Sequence, residues 1–116
     1  MNFKGKYGPL LIAEIGGNHE GNFDIAIKQT KLAIHSGCDV VKYQMYRGES
    51  LVNPKEDYKR FKHFQKFELS KAQYIKLAKI CKKNKVIFSA SIWDTKMIEW
   101  VDNYLKFYKI GSGDLT

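Results

Sequence analysis

The sequence predicts an α/β chain organised as the first half of a (β/α)8 TIM barrel, with four parallel strands and three helices. Two patterns predict it. Short apolar runs alternate with longer stretches of helical periodicity, as repeated βα units require. Each apolar run then ends in polar residues or glycine, which places those residues at the C-terminal end of one parallel sheet. Length supplies the third observation: a closed barrel takes about 250 residues, and this chain has 116. The expectation is one unit over 1–116, the N-terminal half of a barrel domain, and so a fragment of a longer chain. A small open α/β domain is the alternative, because a half-barrel alone leaves its sheet edges open.

In chain order, residues 1–8 read as a loose lead-in closed by Pro9. The first strand spans 10–15 and delivers Glu14 into a glycine-rich turn, IGGNHEG. A carboxylate there needs a reason, since a buried charge costs several kcal/mol unless it is paired or used. Asn22 caps a helix over 23–36, with Phe23, Ile27, Thr30 and Ile34 on one face, Ala26 and Ala33 beside it, and Gly37 as its stop. The second strand, DVVKYQ over 39–44, puts Val40, Lys42 and Gln44 on one side and Val41 and Tyr43 on the other. Residues 45–69 form a long polar connection with an aromatic and basic run, YKRFKHFQKF. A connection of that length has a function or a short helix of its own.

Ser70 and Gln73 fit a capping box that opens the next helix, with Tyr74, Leu77, Ala78 and Cys81 as its stripe and Asn84 as its end. A third strand follows over 86–92, with Ser89 and Ser91 on one face. Asp94 or Thr95 then caps a helix lined by Met97, Trp100, Val101 and Tyr104. A fourth strand over 107–110 leads into Gly111-Ser112-Gly113-Asp114.

The composition narrows the function. Twenty Lys and Arg against twelve Asp and Glu give a net charge of +8, which suits an anionic partner. The lysines are scattered, and no zinc finger, RNP-like aromatic motif or basic arm accompanies them, so no nucleic acid is expected. No apolar run nears the roughly 20 residues of a membrane span, and the polar start lacks the apolar core of a signal peptide. Cys38 and Cys81 lack CxxC spacing and read as reduced, buried thiols of a cytoplasmic protein.

The candidate site lies where the strands end. Strand one supplies Glu14, then Asn18 and His19; strand two Lys42 and Gln44; strand three Ser89 and Ser91; strand four Lys109, then Ser112. Two lysines with serine hydroxyls and glycine-rich backbone amides suit a phosphate or carboxylate. Glu14 would then act as a general base or hold a metal-bound water. Each residue has a plainer reading: a strand-end lysine can snorkel to solvent, and the serines can be ordinary small strand residues. His19 has no second His or Cys at ligand spacing and reads as a structural or substrate-contact residue rather than a metal ligand. It is the convergence of four strand ends that points to a site.

Those residues carry a family pattern. AEIGGNHEG at 13–21, GCDVVKYQ at 37–44, FSASIWD at 88–94 and YKIGSGD at 108–114 together resemble the N-acetylneuraminate (sialic acid) synthase family. The resemblance implies condensation of phosphoenolpyruvate with an N-acylated amino sugar of the N-acetylmannosamine type, forming a sialic or other nonulosonic acid. It implies Glu14 and Lys42 as catalytic residues, with Lys42, Lys109 and Ser112 on the phosphate and carboxylate of phosphoenolpyruvate. Ser91 stands where many members have threonine. Gln44 and Asp114 would touch the amino sugar, and many members have Glu at the latter position. The family's divalent metal, Mn or Mg, takes ligands from later strands, so none is expected in this chain except Glu14 through water. An antifreeze-like domain follows the barrel in the family, and the full-length parent is expected to be a homodimer. The isolated chain is expected to be inactive. The alternatives are another phosphoenolpyruvate-using aldol barrel of the 3-deoxy-octulosonate phosphate synthase type, or a non-catalytic anion-binding half-barrel.

Overall fold

Three parallel strands organise the molecule in a computed structural model that describes residues 2–114. Before them, β1 (Lys4–Gly5) and β2 (Gly8–Pro9) pair as an antiparallel hairpin. The expected loose lead-in is thus corrected, and the reason is a distant carboxylate. Asp39 accepts the backbone N–H groups of Lys6 at 3.0 Å and Leu11 at 2.9 Å. Those amide donors, Leu11 foremost, hold the Asp39 carboxyl below the usual carboxylate range. No local pattern announces a partner 28 and 33 residues away. Asp39→Ala should therefore fray the hairpin, with amide exchange at Lys6 and Leu11 accelerating while the central strand keeps its protection. Acid should do the same to the wild type as pH falls through the depressed pKa of Asp39.

The parallel sheet has the order β3 (Ile12–Gly16), β4 (Val40–Met45), β5 (Ile87–Ile92), with α1 (Phe23–His35) and α4 (Lys71–Lys83) in the crossovers. Both helices start where the sequence indicates. Asn22 accepts the Ile25 N–H, and Ser70 and Gln73 exchange the two bonds of a capping box. The helix-facing side of the sheet is Ile15, Val41, Tyr43, Met45, Phe88 and Ala90, packed against Tyr74, Leu77, Ala78 and Cys81 of α4. Burying a side chain such as Leu77 stabilises the fold by about 1.5–3 kcal/mol relative to exposure. On α1 the innermost residues are Ala26, Thr30 and Ala33, while Phe23, Ile27 and Ile34 of the expected stripe are only partly buried. Small residues let the helix approach the sheet closely. The Tyr43 hydroxyl then meets Thr30 Oγ1 at 2.7 Å and donates to the Ala26 carbonyl at 3.1 Å. Cys38 and Cys81 are buried and unbridged, and burial pushes the Cys81 thiol up to about 12, which leaves it unreactive.

The connection over 45–69 contains two helices, α2 (Gly48–Leu51) and α3 (Tyr58–Lys66). Two later expectations are corrected. The expected third helix is broken into a 3-10 turn (Thr95–Met97), a single α turn, α5 (Ile98–Val101), and a second 3-10 turn (Asp102–Tyr104). Asp94 caps by accepting from Lys96, two residues on, which tightens the first turn. Asp102 and Asn103 then bring low helix propensity to the other end. The expected fourth strand shrinks to one parallel bridge, Ala90 to Tyr108, with the Lys109 N–H on the Ala90 carbonyl at 3.1 Å. The Ser89 hydroxyl takes the Phe107 carbonyl at 3.1 Å, and the chain then turns at Ser112–Asp114. At the other edge, Leu11, Ile12 and Leu32 are exposed along β3 and α1. No helix of the described residues is long and apolar enough to cross a membrane.

Candidate active site

Parallel register builds the site. Glu14 pairs with Lys42 and Lys42 with Ser89, so the three lie in one row across β3, β4 and β5. Gln44 and Ser91 form the next row toward the strand ends. Alternation puts all five on the face opposite the helix-packed core. In that row the Lys42 ammonium donates to Glu14 Oε2 and makes an ion pair. The strand-end position of Glu14 suggests a buried charge there, but its side chain is 48% exposed whereas that of Lys42 is 10% exposed. Lys42 is the buried ion, and Glu14 is the partner that makes its burial tolerable.

A cleft of about 310 Å³ opens above these rows. It is lined by Lys42, Gln44, Ser91, Trp93, Lys109, Ser112 and Asp114, with Gly111 and Gly113. Glu14 stands outside its lining and reaches it through Lys42. Lys109 is exposed, and its ammonium donates to the Ile110 carbonyl at 2.6 Å. A larger groove, about 360 Å³, runs along the open β3 edge between Glu14, Asn18, Gln29 and Leu32. It has no cation in its wall, so the lysine-lined cleft is the better anion site despite its smaller volume.

Sequence reasoning missed Trp93. Its indole N–H donates to Asp114 Oδ1 at 3.1 Å, and both line the cleft. Its position just past a strand end, beside Ser91 on the same face, was the available signal. Ser89 takes the plainer reading: it is fully buried and its hydroxyl is used on the Phe107 carbonyl.

His19 is also structural. It is 1% exposed, its Nδ1 accepts the Gly21 N–H at 3.0 Å, and its ring lies 5.9 Å from that of Tyr43. Burial holds its pKa below 6.5, so the neutral ring is the folded form. An unfolded chain binds that proton more readily. Stability should therefore fall as pH drops below about 6.5 and level off below the folded pKa. His19→Gln should flatten that part of the profile, measured as melting temperature against pH.

Among the described residues, no group of three or more His, Cys, Asp or Glu could hold a metal ion. Glu14 is the one carboxylate beside Lys42 and supplies a single donor group, so these residues do not by themselves make a metal centre.

Fold and cleft together define an α/β half-barrel with an anion-suited mouth at the C-terminal ends of its strands. The chain belongs to the NeuB family, whose model matches residues 30–116. It is 30% identical over 122 residues to the N-acetylneuraminate-9-phosphate synthase of Homo sapiens, covering 95% of this chain and 34% of that protein. It is 29% identical over 120 residues to the N,N'-diacetyllegionaminic acid synthase of Campylobacter jejuni, covering 92% and 36% respectively. The crystal structure of an N-acetylneuraminic acid (sialic acid) synthetase from Leptospira borgpetersenii, in complex with citrate, superposes with a TM-score of 0.82. That match covers 90% of this chain and 36% of the other at 24% identity, and so shows a shared fold. The chain spans about a third of the length of the curated relatives it matches.

Proposed function

We propose that this chain forms the phosphoenolpyruvate-binding half of a nonulosonic acid synthase. The observation that carries the reading is the convergence of Lys42, Gln44, Ser91, Lys109, Ser112 and Asp114 on one cleft, with Glu14 paired to Lys42. The two ammonium groups and the serine hydroxyls would bind the phosphate and carboxylate of phosphoenolpyruvate. Gln44 and Asp114 would meet the N-acylated amino sugar. The enol carbon attacks the sugar aldehyde carbon, a carbon–carbon bond forms, and the aldehyde oxygen gains a proton. Water then adds to the cationic carbon left behind, and phosphate departs. Glu14 would move protons in this sequence, with Lys42 holding its carboxylate in position. The divalent metal of the reading, Mn or Mg, would take its ligands from outside this chain. The longer protein would be a cytoplasmic homodimer, and this chain alone would be inactive.

Phosphate release tests this directly, using phosphoenolpyruvate, N-acetylmannosamine and Mn with the longer protein and with this chain alone. Release that depends on the sugar, from the longer protein only, is the expected result. The 6-phosphate of the sugar is the companion acceptor, because the name of the human relative places a phosphate on its product. Release that ignores both sugars would remove the reading.

A further inference from the structure

We propose that Phe64 and Tyr46 are positioning residues for the sugar side of the cleft: they hold Trp93, and Trp93 holds the Asp114 carboxylate. The aromatic and basic run after β4 folds into α3 and reaches the mouth through a chain of ring contacts. Phe64 meets Tyr46 edge-on, with centroids 5.5 Å apart at 86°. Tyr46 is 5% exposed and meets Trp93 at 6.3 Å and 66°. Such edge contacts restrict ring rotation, because tilting either ring costs the favourable quadrupole geometry. The Trp93 backbone is held as well, its N–H on the Met45 carbonyl at 3.0 Å, one step beyond the β4–β5 ladder.

With its ring held on the Tyr46 side, the indole N–H is aimed at Asp114 Oδ1. Asp114 is exposed and lies on a short 3-10 turn, so this donor gives its carboxylate a fixed place in the cleft. The α3 segment is itself tethered. Glu68 accepts the Gly48 N–H and faces Arg47 at 3.7 Å, which ties the end of the connection back to its beginning. Through these contacts, the packing of a surface helix sets the direction of a cleft carboxylate. The contacts belong to this chain, and only the identity of the bound sugar rests on the function proposed above.

Two readouts test it. The chain has two tryptophans, Trp93 and Trp100, so a Trp100→Phe background reports Trp93 fluorescence alone. In that background Phe64→Ala should shift Trp93 emission to the red and raise its acrylamide quenching by about twofold, and Phe64→Tyr should restore both. In the longer protein, Phe64→Ala should raise KM for the amino sugar about tenfold and leave KM for phosphoenolpyruvate within about twofold. Unchanged Trp93 quenching in Phe64→Ala would overturn the proposal, as would a parallel rise of both KM values. Should Phe64→Ala lose helical circular dichroism, Tyr46→Leu keeps apolar bulk, removes the ring and carries the same outcomes. A parent that releases no phosphate would remove the sugar reading, and the fluorescence would still decide the coupling.

Discussion

Lys42→Ala, made in the proposed full-length synthase, is expected to lower sugar-dependent phosphate release by roughly a hundredfold to a thousandfold. The ammonium is nearly buried at the centre of the sheet, where a fixed charge acts through a lower effective dielectric than water. Its removal takes the central cation from the proposed phosphate site and leaves Glu14 without its partner. Losing one preorganised donor to a developing charge costs about 3–4 kcal/mol in comparable sites, which corresponds to that factor. Lys42→Arg should not rescue, because the planar fork is longer and cannot occupy the same row between Glu14 and Ser89. Lys42→Met separates catalysis from folding: it keeps the apolar stem, so the melting temperature should stay close to that of the wild type while activity is lost. A fall of less than about tenfold would take Lys42 out of the site.

The largest effect on stability is expected at Gly21. Its φ is +77°, and a Cβ there would collide with the backbone carbonyl oxygen of Lys66 at the end of α3. A backbone oxygen cannot swing aside as a side chain can. Gly21→Ala should therefore cost about 3 kcal/mol, the sum of left-handed strain and enforced separation. For a chain of this size that is a drop of roughly 10 °C in melting temperature. Gly37 is the control, with φ +90° and no atom within 4 Å of its would-be Cβ. Gly37→Ala carries the strain alone and should cost about 1 kcal/mol. Equal losses at the two sites would show that close packing of α3 on the Gly21 turn contributes nothing.

The βα order, the capping of α1 and α4 and the two sides of β4 were legible because they are local. A capping box spans four residues, and strand alternation spans six. The strand-end lysines and serines were legible for the same reason, since parallel strands send their C-terminal ends to one side. What failed was what depended on distant partners. The N-terminal hairpin exists because Asp39 accepts its amides, and nothing within residues 1–11 signals that. The fourth strand looked like β5 in sequence, yet the Phe107 carbonyl is taken by Ser89 and only Tyr108 bridges. Trp93, one residue past the expected third strand, had no role in the sequence pattern, because its partner Asp114 lies 21 residues away.

The sequence by itself determined the fold class, the helices that pack on the sheet and the set of polar side chains at the strand ends, because hydrophobic period and capping act over a few residues. Tertiary structure alone decided how those side chains combine. It made Lys42 the buried ion and Glu14 its half-exposed partner, put Trp93 between Tyr46 and Asp114, and set the Lys66 carbonyl against Gly21. The physical reason is that burial and pairing are properties of neighbours in space, which residue spacing along a chain does not specify.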